Sequence, residues 1–402
     1  MGKEIELSTA ITDIAAGPFG SNLKVECFVP SGFPIIDGAN LKGYKVTDNI
    51  TKFVTEEKAR SLSRSIAHRG DVIVTISGTI GQIAYIPEDS LYDEYLCSQR
   101  QFRVSFDSSM VYVPYLVFYF HTFEGQNKIL SFANQTGVPA LSQPLKNFKK
   151  IRLCLPSLQE QRRIASIVET INDKIENNIK INDNLEQQAQ SYFQELFVDN
   201  ADPEWAIGTI SDLGTVVGGS TPSKAKPEYY TESGIAWITP KDLSINKSKF
   251  VSHGENDITE LGLKNSSAAI MPEGTVLFSS RAPIGYIAIA AGEVTTNQGF
   301  KSVVPKPEIG TPFVYFFLKN TLPVIEGMAS GSTFKEVSGS TMKNVPAVIP
   351  DAETLAKFSD FCAPIFAQQR IWEEQNQSLA TLRDNLLPKL MSGEIDVSAV
   401  QL

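Results

Sequence analysis

One series of short sequence patterns occurs twice in this chain, in the same order, and each series runs into a long helical heptad. ITDIAAGPFGSNLK (11–24) has a counterpart in ISDLGTVVGGSTPSK (210–224), each an apolar stretch that enters a Gly/Ser/Pro turn and ends in Lys. GFPIIDGANL (32–41) pairs with GIAWITPKDL (234–243). GDVIVTISGTIGQIA (70–84) pairs with GTVLFSSRAPIGYIA (274–288), where Gly70, Ile80 and Gly81 match Gly274, Ile284 and Gly285 at one constant offset. YLVFYF (115–120) matches FVYFFL (313–318), and GVPALSQPLKNFKKIRLCLP (137–156) matches GSTFKEVSGSTMKNVPAVIP (331–350) without a gap. Self-similarity on this scale means two copies of one folded unit. A length of 402 residues agrees, since it exceeds one ordinary core and suits two domains plus extra helix.

Within each copy, apolar residues alternate or form short β-branched runs such as VIVTI and VLFSS bounded by Gly and Pro, which is the pattern of strands. VPYLVFYFHTFEGQNKIL (113–130) and TPFVYFFLKNTLPVIEGM (311–328) begin near Pro and are dense in aromatic and aliphatic residues, which predicts helices packed on those strands. The fold class expected is α+β: two mixed α/β domains in a pseudo-two-fold repeat, separated by two long helices that pair as an antiparallel coiled coil. The expected segments are a first domain over 1–156, a first long helix over 157–199, a second domain over 200–350, and a second long helix with the tail over 351–402.

The first helix is expected to begin at Ser157, with Glu160 at the spacing of a capping box, and the second is capped by Asp351. Steps of four and three give an a/d seam that includes Ile164, Val168, Ile171, Ile175, Asn178, Asn182 and Leu185. The same count in the second helix gives Phe358, Cys362, Ile365, Gln369, Trp372, Asn376, Leu379 and Leu386, so the helix-pairing residues of the two seams correspond. A single amphipathic helix usually packs on its own domain. About 39 residues at 1.5 Å each, however, make a rod of roughly 58 Å, longer than such a domain covers. Antiparallel pairing of the two helices would bring Asn182 and Asn376 near the centre, where a polar residue in an apolar seam pins register. Pro364 and Pro388 mark places where the second helix is expected to kink or start late.

The formal charge of −9 is unevenly spread. Segments 1–150 and 206–345 are each neutral, whereas 151–205 carries −5 and 346–402 carries −4. The acidic helical segments should not lie along phosphates, and the neutral domains can hold DNA only through locally basic faces. No apolar run approaches the ~20 residues of a membrane span. The start of the chain lacks the form of a secretory leader, and four scattered cysteines give no disulfide framework, so a cytoplasmic location is expected. Only three histidines are present, and none forms a ligand cluster at zinc spacing, so no metal is expected. A GxxxxGK[ST] phosphate loop, an Asn/Asp-Pro-Pro-aromatic element and a paired-carboxylate site are all missing, which predicts a chain that is not an enzyme and binds no cofactor itself.

At this point the chain resembles the specificity subunit of Type I restriction-modification systems. LPSLQEQRRIASIVETINDKIENNIKINDNLEQQAQSYFQELF (155–197) carries the resemblance most specifically, through Gln-Glu-Gln, Ile-Ala and a long Asn/Asp/Glu-rich heptad. LATLRDNLLPKLMSGEIDV (379–397) is similar to the family's usual ending, and SQRQF (98–102) and NQGFKSV (297–303) to its target-recognition domains. DAETLAKF (351–358) departs from the pattern, because it lacks Gln-Glu-Gln. The resemblance implies that each domain reads one half of an asymmetric bipartite site on double-stranded DNA, with the helices setting the spacing and docking two methyltransferase subunits. S-adenosylmethionine then belongs to those partners, as do ATP and Mg where restriction subunits carry a nuclease. The competing reading is a duplicated coiled-coil adaptor that binds proteins without reading DNA.

Base reading needs Arg or Lys for guanine and Asn or Gln for adenine, on loops whose backbone approaches phosphate. In the first copy the candidates are Ser21, Asn22 and Lys24 on the turn after the first strand, Ser77 and Thr79, Gln99 and Arg100, and Gln135 and Thr136. In the second copy they are Ser220, Thr221, Ser223 and Lys224, then Lys241, Ser280, Arg281, Asn297 and Gln298, and finally Ser332, Thr333 and Lys335. For any single Ser, Gly or Asn the plainer alternative is a turn or a hydrogen bond inside the domain.

Overall fold

The computed structural model describes residues 2–134, 137–331 and 335–399. The chain divides into two compact units, Met1–Lys174 with Leu379–Leu402, and Ile175–Ser378. Both are mixed α/β. The boundary falls inside the two long helices and not at their ends, so the units differ from the four segments expected from sequence. Each helix contributes one stretch to the core of each unit.

In the first unit, a four-stranded sheet has the order Ile11–Ala16, Gln101–Phe106, Val72–Thr75, Ile83–Tyr85. A five-stranded sheet has the order Phe28–Val29, Phe53–Val54, Phe33–Ile36, Glu94–Cys97, Ile66–His68. The run VIVT is apolar because both of its faces are covered. Val72 and Val74 join a core with Phe102, Phe118 and Phe148, while Ile73 joins a second core with Ala67, Ala84 and Cys97. The first core also takes Ile164, Ala165 and Val168 from the first long helix and Leu387 and Leu390 from the second. The single helix expected over 113–130 is two helices, Val113–Phe120 and Phe123–Leu130. Thr122 breaks it by capping the second, its hydroxyl accepting from the Gly125 amide at 3.1 Å. Gly125 allows the sharp corner, since a Cβ there would lie 2.2 Å from the Tyr119 carbonyl oxygen.

The second unit has a five-stranded sheet in the order Gly214–Gly218, Lys301–Pro305, Val276–Ser280, Ile284–Ala290, Phe250–Val251. Its four-stranded sheet has the order Tyr230–Thr231, Asn256–Ile258, Ile235–Ile238, Thr295–Thr296. Val276 and Phe278 face one core and Leu277 another, as in the VIVT strand. The helix expected over 311–328 is Thr311–Met328.

The first long helix is Leu158–Gln194, with a wider turn at Glu195–Asp199, and Ser157 caps it by accepting from the Glu160 amide at 3.3 Å. The second is Ala352–Ser392, which runs through Pro364 and Pro388, and Asp351 caps it by accepting from the Thr354 amide at 2.9 Å. Within the second unit their contacts run in opposite directions: Phe193 packs on Phe358 at 5.8 Å, and Asn178 donates to Asn376 Oδ1 at 2.8 Å and to Gln375 Oε1 at 2.7 Å. Asn182 donates instead to the Gln369 carbonyl at 3.2 Å, and Gln369 returns a bond to the Asn182 carbonyl at 3.1 Å. Asn182 and Asn376, both expected near the centre of the pair, therefore bond to different partners, and the residue that meets Asn376 is Asn178. Equal positions in two sequences need not face each other when helices are staggered. All the expected seam residues are buried or half-buried, Ile171, Ile175, Leu185, Trp372, Leu379 and Leu386 among the latter.

Candidate nucleic-acid interface

At one end of the first unit's four-stranded sheet, three strand-end loops are tied together by backbone bonds. Gly17 donates to the Gln101 carbonyl at 2.8 Å, and Ile76 to the Arg100 carbonyl at 2.7 Å. Gly17 is required by this packing, because a Cβ would lie 1.9 Å from the Ser98 carbonyl oxygen. The short hairpin of Ala133–Asn134 with Ala140–Leu141 docks on the same end, where Gly78 donates to the Pro139 carbonyl at 2.9 Å.

These loops enclose a cleft of about 540 Å³ lined by Asp37, Lys52, Ser77, Thr79, Gln99 and Arg100. Candidates distant in sequence are thus brought to one place. Thr79, Gln99 and Arg100 are exposed, and no carboxylate among the described residues lies within ion-pair distance of Arg100. The floor is held by Gln82, which accepts from the Thr75 hydroxyl at 3.1 Å and donates to the Gly38 carbonyl at 3.1 Å. Ser98 bonds to the side chain of Gln101. Asp37 pairs with Lys52 at 2.7 Å; burial alone would raise its carboxyl, but Lys52 and the Ala39 amide hold it below the ordinary carboxylate value. Ser21, Asn22 and Lys24 are exposed on the adjoining turn. Gln135 and Thr136 lie outside the described residues.

The corresponding loops of the second unit are arranged differently in side chains. Arg281 donates to Glu336 at 3.3 Å and lines a groove of about 640 Å³ with Pro283, Ile284, Glu326 and Lys335. Lys301, half-buried beside this pair, is held below its ordinary value by burial and by Arg281 despite the attraction of Glu336. Ser223, Lys224 and Lys335 are exposed.

Several candidates are committed to internal contacts. Ser280 is fully buried and donates to the Gly299 carbonyl at 3.1 Å, so the structure corrects its expected place on a reading surface. Asn297 accepts from the Gly299 amide at 2.8 Å and shapes the turn. Lys241 pairs with Glu255 at 2.5 Å, Thr221 with Gln298, and the Ser220 carbonyl accepts from the Trp237 indole at 3.0 Å. Ser332 and Thr333 lie outside the described residues. Asp37, Lys52, Gln82 and Glu336 were not singled out by sequence. Asp37, Gln82 and Glu336 lie within the repeated segments and Lys52 outside them, but no local feature marks any of the four as part of a site, and only the folded sheets bring them to the loops.

Comparison with known proteins finds one family segment twice along the chain. The description "Type I restriction modification DNA specificity domain" matches the chain twice, over residues 29–187 and 203–386. The Type I restriction enzyme MjaIX specificity subunit of Methanocaldococcus jannaschii is 40% identical over 172 residues, which are 42% of this chain and 40% of that protein. The Type I restriction enzyme HindI specificity subunit of Haemophilus influenzae is 22% identical over 392 residues, covering 78% of this chain and 84% of that one. In fold, the chain is similar to the crystal structure of a Type I restriction-modification S subunit from M. genitalium, with TM-score 0.59 and 16% identity over 96% of this chain and 95% of the other. With both matched segments taken together spanning most of its length, the chain belongs to the Type I restriction-modification DNA specificity family.

Proposed function

We propose that this chain is the DNA-specificity subunit of a Type I restriction-modification complex. Each loop cluster reads one half of an asymmetric bipartite target on double-stranded DNA, and the paired helices fix the distance between the halves and dock two methyltransferase subunits. The observation that carries the reading is that both units gather polar and cationic side chains on the same strand-end loops while those side chains differ. A shared backbone with different tips suits two different half-sites; the adaptor reading gives no reason for the tips to diverge. The chain contributes no chemistry of its own in this reading, and S-adenosylmethionine belongs to the methyltransferase subunits. ATP and Mg belong to restriction subunits where the system has them.

Co-expression with a methyltransferase subunit of its system, followed by mapping of N6-methyladenine across the host genome, should give one split motif with a fixed gap. Methylation with no shared bipartite motif would sink the proposal. Arg100→Ala should relax one base of the first half-site, lowering its discrimination by about 1–3 kcal/mol, and leave the second half-site unchanged. The same map checks it.

The helices are read as an antiparallel coiled coil in which Asn178 and Asn376 hold register. Inserting four residues after Asn182 should therefore change the gap between half-sites or stop the complex from assembling. An unchanged gap in an assembled complex would count against the helices as the ruler.

A further inference from the structure

The two units reach one position on their frames with arginines from different loops. Gly70, Gly78 and Gly81 have φ of 82°, 89° and 91°, and the matching Gly274, Ala282 and Gly285 have 82°, 53° and 95°. The loop after the central strand thus has the same left-handed turn in both, even where the second unit carries Ala. The neighbouring loop is joined to it by the same bond, Ile76 to the Arg100 carbonyl and Ser280 to the Gly299 carbonyl, each 2.7 Å. In the first unit the arginine stands on that neighbouring loop, Arg100, with Nη1 3.7 Å from where a Cβ on Gly78 would lie. In the second unit Gly299 takes that place, and the arginine comes from the turn itself as Arg281, where the first unit has Ser77.

Arg281 differs from Arg100 in having a support. Glu336 exchanges backbone bonds with Ser330 at 3.1 and 2.8 Å, and Val337 donates to the Ser280 carbonyl at 3.0 Å. Two backbone anchors therefore set the Glu336 carboxylate beside Arg281. The side chains are 38% and 40% exposed, so the pair adds little to folding stability. It does restrict the guanidinium: Nη1 is bonded to Glu336, no other donor of Arg281 has a hydrogen-bond partner among the described residues, and Arg281 lines a groove together with the exposed Lys335. A guanidinium held by one edge with its other donors free suits bidentate reading of a guanine, and a cation beside it suits the adjoining phosphate.

We infer that Glu336 is a positioning residue that holds Arg281 to read a guanine in the second half-site. This rests on the proposed function. The test uses the full chain in complex with the methyltransferase subunit, with wild type, Glu336→Ala, Glu336→Asp, Arg281→Ala and the double alanine variant compared by methylation mapping. Glu336→Ala and Arg281→Ala should each relax the same single base of the second half-site, cutting discrimination there by about 5- to 150-fold, with the first half-site intact. Glu336→Asp should recover part of it, and the double variant should relax it no further than Arg281→Ala. A uniform fall in methylation with an unchanged motif would assign Glu336 a structural role only, and a uniform rise would make it a damper on DNA affinity; either overturns the inference. A wild-type map without a bipartite motif would instead overturn the proposed function, and the inference with it. Thermal denaturation of each variant distinguishes loss of fold from loss of reading: if Glu336→Ala unfolds, the motif of Glu336→Leu, which fills the space without an acceptor, decides, and an unchanged motif there overturns the inference.

Discussion

Glu186→Gln should destabilise the second unit by about 3–5 kcal/mol, because it leaves a buried ammonium without its carboxylate. Glu186, on the first long helix, pairs with Lys249 and with Lys319 at 2.5 Å and accepts from the Tyr315 hydroxyl at 3.1 Å. Lys249 is almost fully buried, its ammonium 2.6 Å from Gln369 Oε1 and 4.0 Å from the Phe366 ring centroid. Burial pushes Lys249 below its ordinary value in spite of Glu186. Glu186 is itself pushed up by burial, but the two lysines outweigh this and hold it below its ordinary value. The directions differ in meaning because Lys249 lies deeper, at 7% side-chain exposure against 22% for Glu186. The loss should appear as a melting temperature lower by roughly 6–20 °C. It should also depend on pH in a stated sense. Glu186 has a depressed folded value, so its contribution is complete above the ordinary glutamate value of 4.5 and is lost as pH falls through the lower folded value. The stability gap between wild type and Glu186→Gln should therefore close only in acid. A gap that persists undiminished there would show that the charge of Glu186 is not what stabilises the unit.

The second large effect concerns Gln161, the last residue of the Gln-Glu-Gln element. Its side chain is fully buried, donating to the carbonyls of Met110 at 2.9 Å and Pro156 at 3.0 Å and accepting from the Tyr112 amide at 2.8 Å. Tyr112 stands at the entry of the Val113–Phe120 helix and has no side-chain cap of its own, so Gln161 fastens the first long helix to that helix start. Gln161→Leu should cost about 3 kcal/mol, since each buried backbone group left unpaired costs roughly 1–3 kcal/mol. Urea unfolding monitored in the first unit checks it. The matching position in the second half of the chain is Leu355, buried among Phe313, Phe316 and Phe358. Leu355→Gln should destabilise the second unit by placing an amide in an apolar core. Losses below about 0.5 kcal/mol at both positions would contradict this account, as surface substitutions commonly reach no more.

These two sites show how far the sequence could be read. Gln-Glu-Gln was visible as a pattern, yet its last glutamine is a clamp only because Met110 and Tyr112, some fifty residues away, fold beside it. The Lys249–Glu186 pair joins residues that no local pattern connects, and it forms because one helix lies over the second unit's core. The strands VIVT and VLFSS were legible as buried runs, while the two-faced covering that requires them is a property of the sheets. Apolar density gives 113–130 the look of one helix and hides the corner that Thr122 and Gly125 make.

At the candidate interface the loops were legible and the roles of their side chains were not. Gly turns beside Ser, Gln and Arg mark loops by composition alone, and Arg100 stands in the cleft as those residues suggest. Ser280 has the same local appearance and is fully buried. What a polar side chain does depends on which neighbours are within about 3 Å, and those come from other parts of the chain.

By itself, the sequence determined the element types, the two series of strands, the two long helices with their caps, and the family. The elements follow from periodicity, turn chemistry and capping, all of which act over a few residues, and the family from the resemblance carried by 155–197 and 379–397. Only the tertiary structure decided that each helix serves both units, that Asn178 and not Asn182 meets Asn376, and that Arg281 is held by Glu336. Stagger, burial and ion pairing depend on distances across space, which residues close in sequence do not encode.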